Sequence, residues 1–360
     1  MSSKNRKKAK KITIKEIAEK ANVSFSTVAK ALNNDPLIAK KTKERIIKIA
    51  ENLNYYPNML AASLRMKKTK SIGIILNDLT NPLYYETIKI IETNLSKRGY
   101  TIILSDSNYN LEIEKKNIIT MMAKQVDGVI ISPINSASEN IDLILKNDLK
   151  AVFIDVIPQR KSISYVCINH NTAAIKSTNF LIDKGHKKIL LLLGPVNLSS
   201  SETFLRGHLE TLTLNNIKKD KSLIIYSELS INGGYEIMLK IYNNQEYKDK
   251  FSAILCISDL LAMGVYKASI ELNFKIPEKF SIIGYDNIFV APYLNPPLTT
   301  IHAQKTKVGI YSTEILLEKI EKNIKDNKKI DFEPYIIERK SVCKIKKSNK
   351  KNHYKIRKLK

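Results

Sequence analysis

Three groups of side chains in this sequence have the types and spacing to do chemistry. The first is Phe25, Ser26, Ala29 and Lys30, within the run FSTVAKAL. On one helix these four would face outward together and be available to base edges in a DNA major groove. A hydroxyl donates or accepts there, an ammonium suits guanine O6 and N7, and a ring can press on a thymine methyl. The second group is Asp155 and Asp286, each closing an apolar run, AVFI and FSIIGY. A carboxylate so placed can accept two hydrogen bonds from hydroxyls or ring nitrogens. The third is the histidines at 170, 186, 208, 302 and 353, which lie far apart and nowhere take metal-ligand spacing. His186, after Gly185, reads as a capping or packing residue. No phosphate loop, GxGxxG, GxSxG or HExxH occurs, so neither an enzyme nor a cofactor is expected.

The elements that must position the first group are short helices. Ile14, Ile17, Ala18 and Ala21 recur at helical spacing, and Thr13 with Glu16 makes a capping box. Asn22-Val23-Ser24 breaks the run, and Ser24 is placed as the N-cap of a second helix whose inward face is Val28, Ala31 and Leu32. Two helices and a tight turn in a basic segment form the helix-turn-helix pattern. Any helical hairpin shares this periodicity, and a buried Phe25 would serve packing alone. A third helix is predicted over 42–54, with Ile46, Ile49, Ala50 and Leu53 inward, and Pro57 ends the unit. Residues 58–66 are weakly helical and too few to stand alone.

Three pieces in this order resemble the DNA-binding headpiece of the LacI/GalR family of bacterial transcription regulators: TIKEIAEKANVSFSTVAKALN from Thr13, TKERIIKIAENLNYYPN from Thr42, and MLAASLRMKKTKSIGII from Met59. The resemblance implies that Phe25, Ser26 and Lys30 read bases. It implies that Thr13, Ser24, Thr27 and Asn33 hold phosphates, which fix register without reading sequence. It also places Tyr55 and Asn58 among the DNA-binding residues. Lys30 has two readings, base contact or phosphate contact. Ala61 and Leu64 match the family's hinge helix, where paired leucines wedge into the minor groove. Ala62 stands where the family usually carries arginine, which removes a backbone contact.

Charge supports a polyanion partner at the N-terminal end. Of the formal net +25, residues 1–70 carry 18 basic and 5 acidic side chains, and residues 340–360 carry 10 basic and none acidic. The 269 residues between hold 32 and 30, so the body is nearly neutral. The tails, 1–12 and 342–360, are too polar to build a core and are expected to be disordered. Cys167, Cys256 and Cys343 are odd in number and scattered, which argues for reduced thiols rather than a disulfide framework. No apolar run follows the basic N-terminus and none reaches membrane-spanning length. A cytoplasmic protein with no membrane partner is expected.

From Ser71 the pattern becomes strand-helix alternation. Strands are predicted at 72–76, 101–105, 128–132 and 151–155, then at 188–193, 222–226, 253–257 and 280–285. Helices are predicted at 82–97, 111–124 and 138–147, then at 172–184, 202–215, 234–243 and 259–271. Two such series mean an α/β fold of two doubly wound parallel-sheet lobes behind an all-α headpiece, with a ligand cleft at the carboxyl ends of the strands. The domains are then 13–57, a hinge at 58–70, and a core at 71–341. Asn81-Pro82, Val126-Asp127-Gly128, Ser258-Asp259, Ile283-Gly284-Tyr285-Asp286-Asn287, Pro297-Leu298-Thr299-Thr300-Ile301 and Glu338-Arg339-Lys340-Ser341 extend the resemblance to the family's core, which is similar to a periplasmic sugar-binding protein. It implies three crossings between lobes, near Asn169, near 299–301 and near 328–331. Lobe 1 would then hold about 71–169 and 301–328, and lobe 2 about 170–298 and 331–341.

For the effector, the resemblance gives Asp155 and Asp286 to sugar hydroxyls or a base edge and Tyr84 to stacking on the ligand. Asp259 reads as the cap of the following helix. Phe204 stands where most members carry arginine, Ser258 replaces a common asparagine, and Leu229 stands where an aromatic often sits. Without that arginine the pocket is expected to take neutral ligands. The reading is a homodimeric repressor on a pseudo-palindromic operator, modulated by a small molecule such as a sugar or nucleobase. The alternatives are control by a protein partner and a cytosolic sugar-binding protein.

Overall fold

The first helix of the chain, α1 (Ile14–Ala21), starts where two side chains cap each other. The Thr13 amide donates to Glu16 Oε2 at 2.7 Å, and the Glu16 amide donates to Thr13 Oγ1 at 3.5 Å. It ends at Asn22, whose left-handed φ of 49° suits asparagine and turns the chain. Helices α2 (Phe25–Leu32) and α3 (Lys40–Asn52) then close on α1 around Ile17, Ala18, Ala21, Val28, Ala31, Ile46 and Ala50. Arg45 Nη2 donates to the Ala21 carbonyl at 3.1 Å, which satisfies one of the acceptors that a helix end leaves open.

The structure, a computed structural model, describes residues 12–32, 34–55, 68–324 and 326–345. The expectations for Asn33, Asn58, Ala61, Leu64, residues 1–11 and residues 346–360 lie outside them. The chain forms two units, residues 1–69 and residues 70–360.

In the second unit, apolar strands alternate with amphipathic helices: β1 (Ser71–Leu76), α4 (Pro82–Ser96), β2 (Thr101–Asp106), α5 (Leu111–Ala123), β3 (Gly128–Ile131), α6 (Glu139–Lys146), β4 (Ala151–Ile154) and β5 (Tyr165–Ile168). The series then repeats with α7 (His170–Asp183), β6 (Ile189–Leu193), α8 (Ser199–Leu214), β7 (Ile224–Tyr226), α9 (Ile231–Tyr242), β8 (Ala253–Cys256), α10 (Asp259–Glu271), β9 (Ser281–Asp286) and β10 (Thr299–His302). The chain closes with α11 (Lys305–Glu321), β11 (Lys329–Phe332) and β12 (Tyr335–Ile337). Asn81, Asn110, Ser138 and Ser258 each accept an amide hydrogen bond as N-caps, so the boundaries follow from local chemistry.

Each lobe is a six-stranded sheet: β11-β5-β4-β3-β1-β2 and β12-β10-β9-β8-β6-β7. All pairs are parallel except β10 with β12. Strands buried on both faces, such as Ile189–Leu193, read as unbroken apolar runs because helices cover both sides.

The crossings between sheets correct the expected boundaries. Thr299 pairs with Ile283, so β10 completes lobe 2 before the chain leaves it between His302 and Lys305. Lys329–Phe332 pairs with Tyr165–Ile168, which puts β11 in lobe 1 and the last crossing between Phe332 and Tyr335. Edge pairing with an existing strand decides the lobe in both cases. Strands β5, β11 and β12 and helix α11 went unassigned in the sequence, because they are short or lack clean periodicity.

Candidate nucleic-acid interface and interlobe cleft

On the three-helix unit, Phe25 is half exposed, and Ser26 and Lys30 are exposed on α2. Ala29 is not part of that face. It is buried with Val28, because two consecutive positions both fall within the arc that α2 turns toward the other helices. Ser24 caps α2 as expected, with the Thr27 amide donating to its Oγ at 3.1 Å. The same Oγ lies 2.8 Å from both Ser26 Oγ and Thr27 Oγ1. This hydroxyl cluster holds the start of α2 rigid beside the exposed Phe25 ring. Thr13 is exposed at the start of α1, and Tyr55 is half-buried against the helical core.

The interlobe cleft gathers four of the five expected effector residues. Tyr84 and Asp155 come from lobe 1, and Ser258 and Asp286 from lobe 2. Each sits beyond the carboxyl end of a strand or in the helix that follows. Tyr84 Oη lies 3.3 Å from Ser132 Oγ, and Ser132 Oγ donates to Asp155 Oδ2 at 3.3 Å. Ser258 Oγ donates to Asp286 Oδ2 at 3.3 Å while also capping α10. Burial, with the charges of Asp259 and Asp155 nearby, pushes the Asp286 carboxyl well above the usual range. Both aspartates have positive φ, 67° at Asp155 and 112° at Asp286, a backbone strain of the kind that accumulates at functional sites.

Two expectations about this cleft are corrected. Phe204 is fully buried in the core of lobe 2, its ring 5.9 Å from that of Tyr285, and does not face the cleft. An apolar ring at that helix position is drawn into the core, and the cation falls to Arg206, two residues on and exposed. Asp259 does not cap α10 through its side chain. Its Oδ1 accepts from Thr300 Oγ1 at 2.6 Å and its Oδ2 from the Ile288 amide at 2.9 Å, tying β9 to β10. A Cβ at Gly284 would run into Asp259 Oδ1, so glycine lets the carboxylate lie against the strand.

Sequence reasoning missed the residues that bridge the lobes. His170, the first residue of α7, lies with Nε2 3.0 Å from the Asp155 carbonyl and 3.3 Å from Asp155 Oδ1. Its Nδ1 is 3.0 Å from Tyr285 Oη. Burial alone would lower the His170 pKa and raise that of Asp155. Their pairing outweighs burial, holding His170 above and Asp155 below the ordinary values. Lys305, almost wholly buried, donates to Glu86 Oε1 at 2.9 Å in lobe 1 and to the Asn287 carbonyl at 2.7 Å in lobe 2. Ser136 and Ser199 add a third link, the Ser136 amide donating to Ser199 Oγ at 2.9 Å. His170 carried one local signal, its place beside the crossing at Asn169. Lys305 carried none, since its partner Glu86 is 219 residues away.

This arrangement has counterparts among known proteins. Residues 13–58 match the bacterial regulatory proteins of the lacI family, and residues 69–340 match the periplasmic binding proteins and sugar binding domain of the LacI family. The chain belongs to the LacI family. It is 31% identical over 332 residues to the HTH-type transcriptional repressor PurR of Histophilus somni strain 2336, covering 92% of this chain and 98% of the relative. Among solved structures, the lac repressor dimer bound to operator and the anti-inducer ONPF superposes with a TM-score of 0.81 at 24% identity, over 93% of this chain and all of that one. A LacI family regulator from Enterococcus faecalis V583 with bound ribose has a TM-score of 0.68 at 27% identity, over 77% of this chain and all of that one. This LacI-family chain is therefore a DNA-binding transcriptional repressor with an effector-binding domain. Among the described residues, no helix is long and apolar enough to cross a membrane.

Proposed function

We propose that the protein represses transcription as a homodimer that binds a pseudo-palindromic operator and is modulated by a small molecule held between the two lobes. The observation that carries this reading is the exposed set Phe25, Ser26 and Lys30 on a capped, rigid α2, in a chain whose other unit closes around paired aspartates. Two copies related by a dyad would present two such helices, so the half-sites should be inverted repeats. Thr13, Ser24 and Thr27 lie near the helix starts, where hydroxyls and amides suit phosphate oxygens. The relatives support this reading in kind: one solved neighbour is a dimer on its operator, and another holds ribose.

Selection of full-length protein on randomised duplex DNA tests it. The expected outcome is enrichment of an inverted repeat bound by two chains. Enrichment of no sequence, or of a site bound by a single chain, would overturn it.

A further inference from the structure

The region between the lobes contains two kinds of space. The central space, where Tyr84, Asp155, Tyr285 and Asp286 meet, is split into cavities of about 30 and 40 Å³. Each holds a few waters at most. Its polar groups already serve one another: Tyr84 with Ser132, Ser132 with Asp155, Asp155 with His170, His170 with Tyr285, and Ser258 with Asp286. Beside it opens a vestibule of about 410 Å³, formed by α8, the start of α7 and the loop after β4. That is within the size range of small-molecule sites.

The vestibule's side chains are in the opposite condition. Asn171, Ser200, Glu202, Thr203, Arg206 and Glu210 line it, and none makes a side-chain hydrogen bond or ion pair with a described residue. Glu202, Arg206 and Glu210 recur every four residues along α8, a spacing at which opposite charges normally pair. Gly207 lets α8 approach closely enough to set these groups beside Asn171, since a Cβ there would meet the Asn171 carbonyl.

We propose that the vestibule, and not the central cleft, is where this protein holds its effector, and that the effector is a neutral or amine-bearing polyol of monosaccharide size. This rests on the reading of the chain as a ligand-modulated repressor. Hydroxyls and amides that both donate and accept match a hydroxyl-rich molecule. Three carboxylates, Asp155, Glu202 and Glu210, against the Arg206 guanidinium disfavour an anion. No aromatic ring lines the space, so it offers no platform on which a base would stack. A ligand there touches Asp155 and His170, the pair that bridges the lobes, and so bears directly on closure.

Calorimetric titration of the full-length protein with hexoses, hexosamines and hexose 6-phosphates tests this, with operator binding measured on the same preparation. At least one hexose or hexosamine should bind saturably, and no 6-phosphate should. Arg206→Ala, at an exposed side chain, and Thr203→Trp, which fills the space, should each weaken that binding at least about tenfold, or roughly 1.4 kcal/mol. Three outcomes overturn the proposal: no member of the panel binds, the phosphates bind best, or Asp286→Asn abolishes binding while both vestibule variants keep it. Failure of the wild type to select an operator would instead count against the repressor reading.

Discussion

The headpiece and the core place their chemistry in opposite ways. In the headpiece the chemical groups are exposed and their supports are near neighbours: Thr13 with Glu16, and Ser24 with Thr27. In the core they are buried and supported across the fold: Lys305 by Glu86, Tyr285 by His170, and Asp259 by Thr300. A surface that reads another molecule needs rigid backbone and free side chains. A cleft that must change state needs links between its two halves that one event can make or break.

The largest test of that division is to separate the two units. Deleting residues 1–70 should abolish specific DNA affinity, a loss of at least about 10³-fold relative to nonspecific binding, and leave the core's cooperative melt in place. Fluorescence anisotropy on the selected site and circular dichroism measure the two effects. Specific binding by the shortened chain would break the comparison outright.

Next in size is Lys305. Its ammonium is buried and makes two hydrogen bonds, one to a carboxylate and one to a carbonyl. Lys305→Ala leaves the Asn287 carbonyl without its donor and should cost the core roughly 2–4 kcal/mol, read from the urea midpoint. Lys305→Met, which keeps the apolar stem, should cost less. Equal costs for the two would mean that the stem, not the bridge, is what matters there.

The same contrast governs what could be read in advance. Helices α1 and α2 were legible from Thr13, Glu16, Ser24 and the apolar spacing, because each signal lies within one turn of what it controls. The eight expected strands and their intervening helices were legible for a similar reason, since burial on both faces imposes apolar runs. Asp155 and Asp286 could be placed because each ends such a run. Phe204 could not, because the choice between core and cleft depended on Tyr285, 81 residues along the chain. Ala29 failed on a finer point: the buried arc of α2 is wide enough to take two adjacent residues. His170 and Lys305 were invisible as a class, because nothing local marks a side chain whose partner arrives from another lobe.

Lys30 sharpens the headpiece side of the comparison. Lys30→Ala should cost roughly 1–3 kcal/mol on the selected site and relax preference at one position per half-site if the ammonium reads a base. A phosphate contact would weaken all sequences about equally and make the salt dependence shallower. Repeating the selection with the variant separates these outcomes.

The smallest effect expected is a pH dependence confined to the core. Burial pushes the Asp259 carboxyl up to about 7, against the hydrogen bonds from Thr300 and Ile288 that pull it down. A carboxyl whose folded pKa exceeds its unfolded value, near about 3.9, binds more protons when folded. The stability it contributes is complete below that unfolded pKa and is lost as pH rises through 7. Asp286, raised by burial and by its neighbours Asp259 and Asp155, acts in the same direction. Buried His186, His208 and His302 have lowered pKa values, so their contribution rises with pH but is complete above their unfolded value of about 6.5. Between about pH 6.5 and 8 the carboxyls therefore decide the sign, and the melting temperature should fall by on the order of a few degrees. Asp259→Asn cannot titrate, so it should flatten that slope while lowering stability at pH 6, because one of its two hydrogen bonds then meets an amide NH₂. The chain lacking residues 1–70 should keep the full slope, since both carboxyls lie in the core. A melting temperature that rises across this window, or a slope that Asp259→Asn leaves unchanged, would remove the buried carboxyls as its source.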